Sequence, residues 1–576
     1  MKMKMKIILL MSFYFLCLST KAQTYQWAKK IGGPLAIQIN AMTTDNQGNI
    51  FVAGFFNESM DFDPGPGIDL HTSAGGDDIF FAKYDSSGNL LWAKSLPGDA
   101  FSYIGKNDRA TKIEVDAEGY VYIVGTFATF VDFDPGPGTA VLSQTYNPTA
   151  NNLFVAKYNA SGNYIWAKNF GRKSFTDDRV VIKIDDASAN IYLSGFFTGT
   201  ADFDPGVGVT ALTSTGQDIY IAKYDNAGNY VWAKDIGGAG VTSSAKTLAI
   251  NKNSLGNIII AGTFGGFVDF DPSAANAVLN GNGGNSFFAE YNPSGNYVRA
   301  KSFEGGNSTI FDIVLDTSDN IYIAGNLQGT ADFDPSTSTA ELTSSFTDNF
   351  FAKFDAVGNY LFAKKLPGDT GYTNAVEPNI AIDSYRNIYV SGYFTGTSGD
   401  FDPGVGIANL TNVSSVSRTI FFGKYDVLGN YQWANKIGNH PGSGNVFASK
   451  INNLNELLIA GTFSGTTDFN PGSPVNNLLD SGAFIAKYTS GSPLGINDYL
   501  QFPNDISIYP NPAHDNLSIQ TAEKLISIKC TNYLGQNIVL KFENNSANIS
   551  SLSTGVYLLK IISESGKTTV KKFVKN

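Results

Sequence analysis

The sequence predicts an all-β protein: a run of repeated four-stranded sheets followed by a smaller β domain. Three observations predict it. The stretch Asp61-Phe62-Asp63-Pro64-Gly65 comes back, with small changes, from Asp132, Asp202, Asp269, Asp332, Asp400 and Asp468, at intervals of 71, 70, 67, 63, 68 and 68 residues. A near-even period of this kind marks a repeat architecture. Around each copy lie short runs rich in β-branched and aromatic residues, bounded by Gly, Asn or Asp, which is the pattern of strands. The composition agrees, because 60 glycines, 13% aromatic and 16% charged residues suit a folded, turn-rich chain, and 576 residues exceed what one core serves.

At the N-terminus, Lys2, Lys4 and Lys6 precede an apolar run from Ile7 to Leu18 and the small residues of Thr20-Lys21-Ala22. Residues 1–22 are therefore expected to be a cleaved secretory signal peptide. The run is shorter than the ~20 residues that span a bilayer, which argues against an anchor. Tyr14-Phe15-Leu16 before Cys17 lacks the small residues of a lipoprotein signal. After cleavage only Cys530 remains, so packing and not an internal disulfide must hold the fold. Residues 23–505 hold 28 basic and 47 acidic residues, a net charge of −19, whereas residues 506–576 hold eight Lys and four acids, +4. A body this acidic is no nucleic-acid binder, since that affinity rests on Lys and Arg neutralising phosphates. Its charge suits cations, or neutral partners such as glycans.

In the third copy the unit runs Val180 to Asp185, Asn190 to Phe197, Asp202 to Gly206, Ile219 to Asp225 and Tyr230 to Lys234. Asp185 to Asn190, or Gly48-Asn49 in the first copy, turns strand one into strand two, and Gly228-Asn229 turns strand three into strand four. Gly and Asn tolerate positive φ, so both are hairpin turns. The longer link between the hairpins carries the repeated Asp-Phe-Asp-Pro stretch. A four-stranded antiparallel meander is the simplest packing, and several such sheets arranged radially make a β-propeller.

The two ends of the repeat region are complementary. A fourth strand carrying Trp-Ala-Lys or a variant occurs at Trp92, Trp166, Trp232, Arg299, Phe362 and Trp433, six times among seven units. Thr489-Ser490-Gly491-Ser492-Pro493 cannot supply the seventh, yet Tyr25-Gln26-Trp27-Ala28-Lys29 stands before the first complete unit. The expectation is a seven-bladed propeller over residues 23–490, closed by its N-terminal strand so that no sheet edge is left unpaired. An open solenoid would instead carry atypical caps. Segments such as Gly119-Tyr120-Val121-Tyr122-Ile123-Val124-Gly125 and Phe154-Val155-Ala156-Lys157-Tyr158 resemble the bacterial β-propeller repeat family. That resemblance implies architecture and leaves function open.

Chemistry is sparse. Asp61, Asp63 and their equivalents invite calcium, a hard cation that takes six to eight oxygens, while the competing reading is a turn set by Pro and Gly with Phe62 packed between sheets. The seventh copy, with Asn470 for the second acid, favours the turn. Calcium is the one cofactor kept open, and no catalytic, cofactor-binding or metal residue is assigned. The aromatics of strands three and four recur in every unit and read as packing. Lys83, Lys157, Lys223, Lys353, Lys424 and Lys487 are replaced in the fourth unit by Glu290, which suggests a structural ion pair or a solvated rim. His71, His440 and His514 have no Ser, Cys or metal-ligand partner at a recognisable spacing, and Gly32-Gly33 and Gly237-Gly238 read as loops. Scattered carboxylates could still pair across the ring for hydrolysis.

Residues 491–505 are a linker by composition. A separate β domain follows at 506–576, with Ile506-Ser507-Ile508-Tyr509-Pro510-Asn511-Pro512, Leu552-Ser553-Thr554-Gly555-Val556-Tyr557 and the basic end Lys571-Lys572-Phe573-Val574-Lys575. It reads as a small sandwich and resembles the type A C-terminal sorting domain of the type IX secretion system of Bacteroidetes. The resemblance implies the secretion machinery as a partner, passage through the outer membrane, removal of the domain and often attachment to surface lipopolysaccharide. The expected protein is a secreted or cell-surface monomer without a transmembrane span, a non-enzymatic binder of a glycan or protein. The alternatives are a hydrolase or lyase of extracellular polysaccharide and a calcium-stabilised scaffold.

Overall fold

The computed structural model describes residues 24–33, 37–98, 108–143, 151–175, 179–238, 244–369, 377–412, 414–415, 418–438, 444–489, 506–521, 525–532, 537–543, 545–563 and 568–576. The expected signal peptide, the linker and His440 lie outside the described residues. The chain divides into two compact units, Met1–Gly491 and Ser492–Asn576. Among the described residues every regular element is a strand, and no helix is long and apolar enough to cross a membrane.

In the first unit the first sheet is Ile37–Thr44, Ile50–Phe56, Asp78–Tyr84 and Leu90–Leu96, antiparallel throughout and in chain order. The same meander starts again at Arg109–Val115, Val181–Asp185, Ser244–Lys252, Asn307–Leu315 and Asn379–Ile382. A single parallel bridge between Gln217 and Ser244 joins the third and fourth sheets. The last sheet begins with Gly444–Ile451, Glu456–Phe463 and Gly482–Thr489, and its fourth strand is Tyr25–Ile31, with Ala28 opposite Ala486.

Both hairpin turns are held by a side-chain oxygen at their first residue. Asp45 Oδ1 accepts the N–H of Gln47 and of Asn49 at 3.0 and 2.9 Å, and Asp85 Oδ1 does the same for Ser87 and Asn89. The second turn is also the joint to the preceding sheet. Gly88 has φ 77° and lies under the Trp27 ring, where a Cβ would come within 3.0 Å of the indole. Only glycine meets both demands. Gly162 sits under Trp92, Gly228 under Trp166 and Gly295 under Trp232 in the same way, and those three indoles donate to the carbonyls of Ala160, Asn226 and Pro293. The contact of Trp27 with Gly88 therefore repeats, between the last sheet and the first, the contact made between neighbours elsewhere.

Seven apolar clusters lie between successive sheets, each with at least twelve buried side chains. One joins Met42, Val52 and Ala82 of the first sheet to Leu458, Ala460 and Ile485 of the last. Burying a large apolar side chain stabilises by roughly 1.5–3 kcal/mol, so packing between sheets stabilises far more than any single hairpin could.

The second unit has two antiparallel sheets. One orders Ile506–Tyr509, Asn516–Thr521, Ser546–Asn548 and Lys541–Glu543; the other orders Asn537–Ile538, Leu525–Asn532, Gly555–Ser563 and Thr568–Lys575. Leu517, Ile519 and Ala547 of the first share a core with Cys530, Leu559, Ile561 and Phe573 of the second. Cys530 is a free thiol there, and burial pushes its pKa up to about 11.

Candidate functional site

The repeated acidic stretch is turned in on its own backbone. Asp61 Oδ1 accepts the N–H of Asp63 at 3.0 Å and that of Asp69 at 2.9 Å. Asp132, Asp202, Asp269, Asp332, Asp400 and Asp468 make the same two bonds. Asp63 Oδ1 accepts from Gly65 at 2.7 Å, while a Cβ on Gly67 would lie 2.1 Å from Asp63 Oδ2. In the fourth and fifth copies Ser273 and Ser336 stand in place of the first glycine, and their hydroxyls accept the N–H of Ala275 and Ser338. Asn470 in the seventh copy accepts from Gly472 at 3.0 Å, as an acid would. Phe62 is fully buried, and its carbonyl accepts the Tyr84 hydroxyl at 3.0 Å. Burial, reinforced by Asp69, Asp63 and Asp61, holds the Tyr84 pKa well above the usual phenol value, so it stays a donor. Among the described residues no group of three or more His, Cys, Asp and Glu gathers as a metal set.

Three lysines of the column form ion pairs, in keeping with the structural one of the two sequence readings. Lys424 lies 3.6 Å from Asp383 with side chains 3% and 0% exposed, Lys83 pairs with Asp45 at 3.4 Å, and Lys487 pairs with Glu456 at 2.6 Å. The lysines also reach onward: Lys223, Lys353 and Lys487 donate to carbonyls of Pro293, Val427 and Ser86 in the following sheet's turn. The fourth sheet reverses the charges together. Glu290 replaces Lys, Arg299 replaces the usual Trp and pairs with it, and Asn253 replaces Asp and donates to Glu290 at 2.9 Å. Burial lowers the pKa of Lys157 and Lys353, with Asp116 and Asp316 acting in the opposite sense. These groups are structural, and His71, bonded to Ser95 at 2.8 Å and set edge-on to Phe62, is as well. His514 is exposed in the second unit.

The site that sequence reading missed lies where the first strands of the sheets come together. A passage of about 100 Å³ is lined by the first strand of every sheet, through residues such as Met42, Ile113, Ile182, Ile250, Ile313 and Ser449, with Asn379 from the sixth. Polar side chains tie these strands to one another: Asn40 donates to the Ala110 carbonyl at 2.8 Å, Thr111 to Val180 at 3.2 Å and Asn251 to Ile313 at 3.1 Å. Above this passage opens a mouth of about 390 Å³, sharing Leu248, Phe311 and Phe447 with it. At the other end a cavity of about 250 Å³ is lined by Asp45, Glu114, Asp116 and Asp186, with Lys183 bonded to Glu114 at 3.3 Å.

One repeat position supplies five of the residues that line the mouth, Gln38, Arg109, Arg179, Glu377 and Asn445. A Cβ on Gly54, Gly125, Gly262, Gly325 or Gly461 would come within 1.8–2.1 Å of the carbonyl oxygen of Gln38, Arg109, Lys246, Thr309 or Asn445, and Gly195 faces the Arg179 carbonyl likewise at 3.1 Å. In the sixth sheet Pro378 packs on Gly392, which puts Glu377 at the corresponding place. Read in sheet order the position is Gln38, Arg109, Arg179, Lys246, Thr309, Glu377 and Asn445. Arg109 donates to Asp77 through two N–H groups at 3.0 and 2.7 Å and stacks 4.3 Å from the Phe55 ring. Arg418 lies 4.9 Å from the Tyr393 ring and Lys246 4.9 Å from Phe196. Arg179 of the third sheet pairs at 2.7 Å with Glu377 of the sixth, two sheets that are not neighbours. Burial pushes the Tyr393 hydroxyl above the usual phenol range; Arg418 opposes the shift, and Asp369 and Glu377 add to it.

Comparison with known proteins bears on the two ends of the chain. Residues 26–54 match the family described as "Beta-propeller repeat". A relative, an uncharacterized WD repeat-containing protein of Acanthamoeba polyphaga mimivirus, is 27% identical over 515 residues; the alignment covers 76% of this chain and only 36% of that relative. Among solved structures, an ulvan lyase of a new polysaccharide lyase family is 13% identical over 80% of this chain and 95% of its own, with a TM-score of 0.36. A protein of unknown function from Bacteroides caccae is 10% identical over 67% of this chain and 93% of its own, with a TM-score of 0.27. Likenesses this low carry no weight for the chemistry of the site. Residues 507–576 match the family described as "Secretion system C-terminal sorting domain", and this type IX sorting domain marks the chain for export, to the cell surface or into the medium.

Proposed function

We propose that the chain is an exported binding module in which seven sheets close into a propeller around one axial passage, with a small C-terminal sandwich as its sorting signal. The observation that carries this reading is the passage itself, lined by the first strand of every sheet and opening at one end into a mouth of cations and aromatic rings. The pairing of Tyr25–Ile31 with the last sheet and the seating of Trp27 on Gly88 support the closure. The mouth is a concave site of small-ligand size.

Binding without chemistry is favoured by what the mouth holds. Catalysis at neutral pH asks for an acid or base poised near 7. Tyr393 is moved away from that range, and the carboxylate at the mouth, Glu377, is occupied by Arg179. The ligand on this reading is a glycan or a protein at the cell surface. A glycan array combined with a polysaccharide-degradation screen on the mature chain, with and without a calcium chelator, tests it. Saturable binding without product is expected; new reducing ends or unsaturated products would replace it with the hydrolase or lyase reading.

A further inference from the structure

We propose that the basic mouth recognises the carboxylates of an acidic oligosaccharide, and that Glu377 occupies this site as an internal stand-in until ligand displaces it. This rests on the binding-module reading and assigns its ligand class.

Residues 23–505 carry −19, yet the mouth gathers Arg109, Lys112, Arg179 and Arg418 around a single lining acid, Glu377, with Asp77 behind Arg109. A concave site lined by one sign of charge focuses its field and raises the local concentration of the opposite ion. Guanidinium groups suit carboxylates, which they can hold through two parallel hydrogen bonds. The structure already contains such a contact, Arg179 on Glu377 at 2.7 Å.

That contact is built to exchange. Its two side chains are 41% and 46% exposed, unlike the buried lysine pairs of the repeats, and it spans two sheets that are not neighbours. An exposed ion pair is weak, so an incoming carboxylate can take Arg179 at little cost. Arg109 is braced by Asp77 and stacked on Phe55, and Arg418 is stacked on Tyr393, which orients both toward the same ligand. Below them the mouth, about 390 Å³, narrows to a passage of only about 100 Å³ lined by Asn40, Lys112, Val181, Leu248, Phe311 and Phe447, so the mouth takes the end of a saccharide and does not thread it.

The test is calorimetric titration of the mature protein, wild type and variants, with a short oligogalacturonate, its methyl ester, a sulfated oligosaccharide, a neutral glycan panel and a glutamate peptide. The oligogalacturonate is expected to bind, more weakly as salt rises, and the ester is expected not to. Glu377→Gln should tighten binding by roughly fivefold, the gain from releasing a surface pair of up to ~1 kcal/mol. Arg179→Gln should weaken it about tenfold and abolish the gain from Glu377→Gln. Unchanged melting curves, expected at such exposed positions, confirm that the variants are folded. Equal binding of acid and ester, tighter binding of the sulfated sugar or of the peptide, binding of neutral glycans alone, or no effect of Glu377→Gln would each overturn the assignment while leaving a binding module. Failure of every saccharide to bind would overturn the assignment and leave the binding-module reading only with a protein ligand.

Discussion

The two ends of the passage between the first strands are built from the same repeats and have diverged to different degrees. At the end lined by the turns between strands one and two, Asp or Asn stands at the first turn residue in every sheet, and lysines from the third strands pair with acids there. Even the fourth sheet, which reverses the lysine to Glu290, restores balance with Arg299 and Asn253. At the mouth the corresponding column runs Gln38, Arg109, Arg179, Lys246, Thr309, Glu377 and Asn445, with no compensation toward a common charge. The contrast teaches how to read a repeat protein: what every sheet needs for packing recurs, and what a single ligand needs does not.

The largest effect is expected from breaking what both ends share. Removing residues 23–31 takes away the fourth strand of the last sheet, including buried Ile31 and the Trp27 contact with Gly88. A core isoleucine alone is worth about 2–5 kcal/mol, so the thermal midpoint should fall sharply and both ends of the passage should loosen. A truncated chain that melts like the full one would contradict the closed arrangement. Next in size, Lys424→Ala should cost about 3–5 kcal/mol in denaturant unfolding, because it leaves Asp383 buried beside the Tyr389 hydroxyl without its cation. Arg418→Gln at the mouth should change stability by less than about 0.5 kcal/mol.

The fourth sheet sharpens the contrast further. Glu290→Lys sets two cations side by side and should destabilise by about 2–4 kcal/mol, whereas adding Arg299→Trp and Asn253→Asp rebuilds the pattern of the other sheets and should recover most of the loss. A smaller, pH-dependent effect is expected in the third sheet. Burial, with Asp218 adding to it, raises the Asp235 pKa to about 7, where the first and fourth sheets have Ser95 and Ser302. A carboxyl whose folded pKa lies above its unfolded value of ~3.9 stabilises fully below that value and loses the contribution as pH rises through 7. Asp235→Asn should therefore raise the thermal midpoint by about 2 °C at pH 8 and leave it nearly unchanged at pH 4.

Much of the packing was legible in the sequence, because hairpins and period-two strands are local patterns: the Gly228-Asn229 turn and the Trp-Ala-Lys strands could be read directly. The brace at Asp61 was legible only in part. Its bond to the Asp63 amide is local, but the bond to Asp69 crosses a hairpin that the spacing alone does not close. The mouth was not legible, since its residues run from Gln38 to Arg418 with no shared motif, each a single letter in a strand. Counting back from the turn acid puts Arg109 seven residues before Asp116 but Arg179 and Glu377 six before Asp185 and Asp383, because the second sheet's first strand bulges after Ala110, so the column closes only in the structure. Net charge pointed the other way. A total of −19 over residues 23–505 suggested cations or neutral partners, because a sum over residues does not register where the cations converge.

The measurement that tests the contrast most directly is oligogalacturonate affinity after equal changes at each end. Arg179→Gln with Arg418→Gln at the mouth should lower affinity about a hundredfold, at roughly tenfold for each guanidinium lost. Glu114→Gln with Lys183→Gln at the far end should leave it within a factor of about two. Equal losses from the two pairs, or a loss only from the far end, would contradict the account.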